Sequence, residues 1–369
     1  MLFLVNRYRP PLKKKIAFNE KWKTVRIEDS ITKIDDTGLK IPESEIKESG
    51  KYPVVTQDVQ CLYSGHTDMD NPISDVPLVV FGDHSCVVKY IETPFFRGAD
   101  GTVLLKPKPD FIPKYYFYAV EYIVKKCIDN TKYERHNKYL QSLYIPIPDK
   151  ATQLLMVNEL DVIEESVNRS NASIGKLQTQ MEDILSTLKA DRMSLEKVAP
   201  FVTNTLKISE ISIETYITTD NMLQNRMGVL PFNGVANISS ITQCQKGDIL
   251  ISNIRPYLKK IWYADKDGGC SKDVLVLRST DESKYHSKYI YYMLCRDAFF
   301  DYVMEGKKGL KMPRGNKDDI QKYQIPMPSI TEQKRIVALI DDLQTQIAKH
   351  QSVIDNAAEM KSKILKRYL

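Results

Sequence analysis

The feature that most constrains this chain is an internal repeat. A shift of 180 residues places Pro146 on Pro326, Pro148 on Pro328 and Gln153 on Gln333. The match continues on both sides, from Leu140 over Ile320 to Leu185 over Leu365, so it covers about 40 positions at one shift. Agreement of this length indicates a duplication, and the fold must therefore contain one structural plan twice.

Each copy predicts a long helix after a Pro-x-Pro segment, IPIP at 145–148 and IPMP at 325–328. Apolar residues recur about every 3.5 residues along one seam of each helix. Polar residues interrupt both seams at matching places, and Thr331 is expected to cap or flank the second helix start, with Glu332 near its positive end. The seams are Val157, Leu160, Val167, Ile174, Met181, Leu185 and Leu188, and Val337, Ile340, Ile347, Ile354, Ala357, Leu365 and Tyr368.

An unpaired seam would leave a long apolar stripe in water, which favours an antiparallel pair that forms a coiled-coil rod. Two ordinary amphipathic helices on separate cores remain the alternative. The 369 residues suffice for two domains with their own cores. We predict globular domains at 1–148 and 193–328 and long helices at 149–192 and 329–369. Both domains mix strands with an aromatic helix, so the predicted class is α/β with a pseudo-twofold repeat.

Basic polar loops precede both Pro-x-Pro segments. Residues 305–317 carry five basic residues and one acid, and residues 125–138 carry five and two. Gly306, Gly309 and Gly315 would let the backbone approach a ligand. Solvated lysine-rich loops are the plainer interpretation, and Tyr257 could equally belong to a core. The candidate DNA-binding residues are Arg97, Arg135, His136, Asn137, Lys138, Asn253, Arg255, Tyr257, Lys259, Lys260, Lys307, Lys308, Lys311, Arg314 and Asn316.

Sequence motifs for catalysis are missing. The chain has no GxxxxGK[ST] loop, no glycine-rich cofactor turn and no Asn/Asp-Pro-Pro-aromatic tetrapeptide. Its six cysteines are scattered, so neither zinc nor a disulfide framework is expected. Asp83 and His84 lack a nucleophile nearby in sequence, which favours a structural turn or a DNA contact over an acid–base couple.

The apolar start MLFLV is too short for a signal peptide, and no run of about 18 apolar residues exists. A cytoplasmic protein is therefore expected. The net charge of +6 is compatible with an anionic partner but does not by itself indicate one.

Several segments together resemble the specificity subunit of type I restriction–modification enzymes. YPVVTQ, LVVFGDHSC, PFFRGADGTVLL and YERHNKYL are similar to one class of its target recognition domain. YITTDNML, KGDILISNIRPYLKK, GLKMPRGNKDDI and IPMPSITEQKRIVALID are similar to another. The resemblance runs from about Trp22 onward. The first helix departs from the pattern, with Thr152 where the second copy has Glu332.

The resemblance implies a subunit without catalysis or a cofactor of its own, since S-adenosylmethionine and ATP belong to its partners. Each domain would read one half of a bipartite double-stranded DNA target. The rod would set the gap between the halves and dock two adenine methyltransferase subunits, and motor–nuclease subunits would join them. The alternatives are a nuclease, the recognition part of a fused restriction enzyme, or a coiled-coil scaffold that never touches DNA.

Overall fold

The computed structural model describes residues 16–34, 39–98, 101–131, 134–236, 238–309 and 311–369. The segment MLFLV, on which the signal-peptide prediction rests, lies outside the described residues. So do parts of PFFRGADG and of both basic loops. The chain forms two compact units, unit 1 from Met1–Ser170 with Ser352–Leu369 and unit 2 from Asn171–Gln351.

In its described residues, unit 1 has ten strands, two complete helices, the start of a third helix and the end of the last helix of the chain. Its four-stranded sheets have the orders β2-β9-β6-β7 and β3-β8-β4-β5, and β1 pairs with β10. The strands are β1 Lys23–Arg26, β2 Ile31–Thr32, β3 Lys40–Ile41, β4 Tyr52–Val55, β5 Gly65–Thr67, β6 Leu78–Gly82, β7 Val88–Ile91, β8 Phe96–Gly98, β9 Thr102–Pro107 and β10 Tyr144–Ile147. The helices are α1 Pro113–Cys127, α2 Asn137–Ser142 and α3 Lys150–Ser186, and α3 continues into unit 2.

Unit 2 repeats this plan, with nine strands in the part that the structure describes. Its sheets have the orders β16-β15-β18 and β12-β14-β17-β13, and β11 pairs with β19. The strands are β11 Arg192–Ser194, β12 Thr205–Lys207, β13 Tyr216–Ile217, β14 Ser240–Cys244, β15 Ile249–Ser252, β16 Ile261–Tyr263, β17 Gly268–Cys270, β18 Val274–Leu277 and β19 Gln324–Pro326. The helices are α4 Leu195–Val198, α5 Ser287–Leu294, α6 Asp297–Glu305, α7 Lys317–Lys322 and α8 Ile330–Tyr368, and α8 ends in unit 1. Short 3-10 turns occupy Glu28–Ser30, Glu43–Glu45, Ile208–Glu210, Ile213–Thr215 and Pro256–Leu258.

The central strand of each unit is an apolar run buried along its whole length. β6 (LVVFG) pairs antiparallel with β7 and β9, and β15 (ILIS) pairs antiparallel with β16 and β18. A strand covered on both faces has no solvent side, so it does not alternate. The predicted aromatic helices are α1 and α5, which bury Tyr115 and Tyr289 in their cores.

The predicted helical seams are confirmed, because every seam residue is buried or half-buried. In unit 1 the ion pairs Glu159–Arg367 and Glu164–Lys361 join α3 to α8. The paired positions run from 159 to 164 along α3 and from 367 back to 361 along α8, so the two helical segments are antiparallel in unit 1. The helix α3 ends at Ser186, earlier than residue 192, and Arg192–Ser194 form a strand that pairs with Gln324–Pro326. The predicted division into domains stays a prediction.

The two helix starts carry the same buried clamp, which explains the repeated sequence. Gln153 is fully buried, and its side chain accepts a hydrogen bond from Ile112 N (2.7 Å) and donates to Asp110 O (2.9 Å) and Pro148 O (2.8 Å). Gln333 repeats these bonds with His286 N (2.8 Å), Lys284 O (2.9 Å) and Pro328 O (2.8 Å). Each clamp ties the Pro-x-Pro segment to the loop that precedes the aromatic helix.

Thr331 flanks the start of α8, which is one of its two expected roles. Ser329 Oγ accepts a hydrogen bond from Glu332 N at 3.4 Å, so Ser329 is the cap. In the first copy Asp149 takes this position, and its carboxylate accepts from Thr152 N at 2.9 Å. Within the described residues, no helix has the length and apolar character needed to cross a membrane.

Candidate nucleic-acid interface

In each unit the residue after the central strand anchors the loop that precedes the short helix. In unit 1, Asp83 N donates to Gly101 O (2.6 Å), and His136 N donates to Asp83 O (2.8 Å). In unit 2, Asn253 N donates to Asp273 O (2.8 Å), and Gly315 N donates to Asn253 O (3.3 Å). Asp83 and Asn253 are therefore structural equivalents, and the candidate loops of each unit meet at them.

The Asp83–His84 pair forms a structural turn, as one of the two favoured interpretations predicted. Asp83 Oδ1 accepts a hydrogen bond from Asn137 N at 2.7 Å, at the start of α2. The ring of His84 contacts Glu134 O through Nδ1 at 3.2 Å, and His84 N donates to Gln57 Oε1 at 3.0 Å. Among the residues that the structure describes, no group of three or more His, Cys, Asp or Glu side chains is arranged to hold a metal ion.

Two predicted site residues have side chains inside the protein. His136 is 1% exposed, and neither ring nitrogen has a hydrogen-bond partner within the described residues. Asn253 is 7% exposed. In this conformation neither side chain reaches the surface, and their role in DNA binding stays a prediction. The side chain of Asn316, at the start of α7, donates to Asp319 instead.

The exposed cations of unit 1 flank this buried anchor. Arg135 and Lys138 are exposed, and Lys138 Nζ lies 4.7 Å from the ring centre of Tyr139. Arg97 is half-buried on β8 and lines an open cavity of about 430 Å³ together with Lys33 and Thr102. The roles of all three in DNA binding stay predictions.

Three loops of unit 2 interlock, and the structure brings most of the unit 2 candidates together there. The loop at the centre, residues 253–260, is called the Arg255 turn. Within this turn, Leu258 O accepts a hydrogen bond from Asn225 N (2.9 Å), and Lys259 O accepts one from Arg226 N (3.0 Å). From the other side, Arg255 N donates to Pro313 O at 2.8 Å, next to an Ile254–Arg314 bridge.

Ion pairs occupy several cations of this region. Lys259 Nζ lies 2.8 Å from Asp297 Oδ1, and Arg226 pairs with the same carboxylate. Lys259 and Arg226 together lower the pKa of Asp297. Arg314 lies 3.2 Å from Asp273, and Lys260 Nζ donates to Thr219 O at 2.6 Å. These partners hold the loops together, so such cations serve the fold as well as any ligand.

Other candidates face solvent. Lys307, Lys308, Lys311 and Arg255 are exposed, and Tyr257 is 48% exposed rather than part of a core. Gly309 has φ +85°, the left-handed region that favours glycine. Gly315 is a packing glycine instead, since a Cβ there would lie 2.8 Å from Val303 Cγ1.

Arg226 belongs to this region although it is not among the predicted site residues. Its φ of 65° and that of Asn225, 53°, are left-handed, as are those of Arg255 and Lys259, both 51°. Of these four, only the asparagine gave a signal, because asparagine tolerates this conformation better than other side chains. The remaining three depend on contacts between distant loops.

Comparisons with known proteins agree with this architecture. The sequence matches the family described as type I restriction modification DNA specificity domain over residues 19–197 and 216–359, most of the chain. It is 28% identical over 111 residues to the Type I restriction enzyme EcoDI specificity subunit of Escherichia coli. That match covers 30% of this chain and only 24% of the relative's length.

Solved structures resemble the whole chain. The S subunit of a type-I restriction-modification system from M. genitalium is similar with a TM-score of 0.61 and 17% identity, covering 98% of this chain and 99% of that one. A chain from a structure on complex assembly and conformational transition of the type I R-M system has a TM-score of 0.50 and 15% identity, covering 94% and 97%. At such identities the likeness supports the fold alone.

Proposed function

This chain belongs to the family of type I restriction modification DNA specificity domains, and from that premise we propose that it reads a bipartite sequence in double-stranded DNA. Each unit would bind one half of the target. The chain would perform no catalysis and hold no cofactor. It would direct adenine methylation and restriction by partner subunits that bind S-adenosylmethionine and ATP, and it would act in the cytoplasm, where such DNA lies.

The observation that carries this proposal is the exposed basic hairpin of unit 2, described over residues 307–309 and 311–314. Lys308 and Arg314 exchange backbone hydrogen bonds of 2.8 and 2.9 Å, so the hairpin is closed. It is also bonded to the Arg255 turn through Arg255 N and Pro313 O. Cations on a fixed frame suit the phosphate backbone, while neighbouring side chains address base edges.

Two adenine methyltransferase subunits and motor–nuclease subunits are the proposed partners. The long helices α3 and α8 would offer the docking surface and would set the spacing between half-sites, on the order of one helical turn of DNA. Removing one heptad from each helix should then change the permitted spacer. An unchanged spacer would contradict this part of the proposal.

The test of DNA reading reverses the charge of the hairpin in the chain purified with its methyltransferase partner. Changing Lys307, Lys308, Lys311 and Arg314 to Glu should weaken binding and flatten its dependence on salt, because fewer phosphate contacts release fewer counterions. A matched control reverses four exposed lysines elsewhere in unit 2, Lys197, Lys246, Lys266 and Lys284. Fluorescence anisotropy at several salt concentrations measures both.

Equal effects of the two sets would contradict DNA reading by this hairpin. A wild-type complex that binds no DNA would favour a scaffold, and metal-dependent cleavage by the chain alone would favour a nuclease. Methylation sequencing of cells that express the chain with its partner identifies the target.

A further inference from the structure

Arg255 in unit 2 has a backbone conformation that is disfavoured for two reasons. Arg255 has φ 51° and ψ 63°, in the left-handed region. L-residues other than glycine pay for this conformation through contact of Cβ with the backbone. The next residue is Pro256, whose ring further restricts the residue before it to extended conformations. Glycine would occupy position 255 with far less strain.

The surroundings determine this backbone from both sides. Arg255 N donates to Pro313 O at 2.8 Å, and Arg255 O accepts from Leu258 N at 2.9 Å. Pro256 is buried, and Ile254 forms a bridge with Arg314. Backbone strain that surrounding contacts hold in place is concentrated at functional sites, where a side chain must point in one direction.

Among the arginines that the structure describes in these loops, Arg255 has the guanidinium that is left available. Arg226 pairs with Asp297, and Arg314 pairs with Asp273. The side chain of Arg255 is exposed, and no hydrogen bond or ion pair to another described residue reaches it. Tyr257, 48% exposed, stands two residues further along the same 3-10 turn. An arginine without an internal partner keeps all its donors for a ligand.

The two units differ at this place. In unit 1 the hairpin after the central strand spans residues 83–86 and closes through Gly82 N and Val87 O, 2.8 Å apart. In unit 2 the equivalent hairpin spans 253–259 and closes through Ser252 N and Lys260 O, 3.0 Å apart. The extra length carries Arg255 and Tyr257, so the two halves of the repeat present different side chains from the same frame.

We infer that Arg255 reads a guanine in the half-site bound by unit 2. This rests on the proposed function and adds the residue and the base. The planar guanidinium of arginine donates two parallel hydrogen bonds, which match O6 and N7 of guanine in the major groove. A fixed backbone helps, because less side-chain freedom is lost when the pair forms.

The experiment compares Arg255→Gly, Arg255→Lys and Lys266→Ala in the full chain, each expressed with its methyltransferase partner. Methylation sequencing defines each motif, and competition binding with single base changes measures discrimination. Arg255→Gly relieves strain, so its melting temperature should stay the same or rise. The same variant should lose the preference for one guanine, by about 10- to 100-fold.

Arg255→Lys keeps the charge without the two-pronged donor, so its discrimination should fall in the same direction. Lys266→Ala removes an exposed cation of unit 2 that lies outside these loops, and it should retain the motif. An unchanged motif in Arg255→Gly would overturn the inference, and so would an equal loss of affinity for every sequence, which indicates a phosphate contact. A wild-type complex without any motif would instead overturn the proposed function.

Discussion

Gln153 donates a hydrogen bond from its side-chain amide to the carbonyl oxygen of Pro148, 2.8 Å away. Gln333 and Pro328 repeat this bond at the same distance. Tyr115 and Tyr289 add a second repeated bond, to Pro146 O and Pro326 O at 2.9 and 2.7 Å. The carbonyl groups of the Pro-x-Pro segments are thus bound by side chains. The sequence IPxP with a glutamine five residues after its second proline therefore describes a hydrogen-bonding unit.

Replacement of Gln153 by Leu should destabilise unit 1 by about 3 kcal/mol, because it removes three hydrogen bonds of about 1 kcal/mol each, to Ile112, Asp110 and Pro148. Gln333→Leu should have a similar effect on unit 2. Urea unfolding measures both, and Gln180→Leu, at an exposed position of α3, is the control. If the loss in free energy of unfolding is no larger than in the control, water replaces the hydrogen bonds of the glutamine.

Replacement of Ser329 by Ala should lower the melting temperature by a few degrees, since the first turn of α8 loses its cap. Thr331→Ala, two residues further along the chain, should change the melting temperature little. Circular dichroism of the two variants distinguishes the positions. A larger loss from Thr331→Ala would show that the cap lies where the sequence first indicated.

Replacement of His136 by Phe should leave stability unchanged or raise it, because two buried ring nitrogens without partners are removed. DNA affinity should also stay the same. Arg135→Ala, beside it on the surface, should weaken binding. The comparison uses thermal unfolding and anisotropy, and a loss of affinity in His136→Phe would mean that the ring turns outward when DNA binds.

Replacement of Asp297 by Asn tests the ion pairs that hold the Arg255 turn. Lys259 and Arg226 lower the pKa of Asp297 below its usual 3.8. The pairs therefore stabilise the fold above about pH 3.8, and the contribution is lost as the pH falls through the lowered pKa. The variant should be less stable than the wild type at pH 7, and the difference should shrink toward pH 3. Asp301→Asn, exposed on the same helix, should differ little from the wild type at either pH.

Replacement of Gly175 by Ala should stabilise the protein by about 0.5–1 kcal/mol. Gly175 lies inside α3, and a Cβ there would meet no atom within 4 Å. Gly315→Ala should destabilise it, since the added carbon would lie 2.8 Å from Val303 Cγ1. Thermal unfolding of both variants checks the opposite signs.

The repeat, both long helices and the aromatic helices could be predicted because each depends on local periodicity. The cap at Ser329 was also readable, since Ser329 and Glu332 have the spacing of a capping box. The burial of His136 was not, because it depends on the turn at Asp83, more than fifty residues earlier in the chain. The equivalence of Asp83 and Asn253 escaped the 180-residue shift, because the hairpins and loops of the two units differ in length.

The left-handed arginine has a consequence for laboratory evolution. Arginine at position 255 costs the fold something that glycine would not. Selection for heat resistance alone should therefore replace this side chain. Selection that also requires methylation of the correct DNA sequence should retain it. The same codon would thus report which of the two pressures a population has faced.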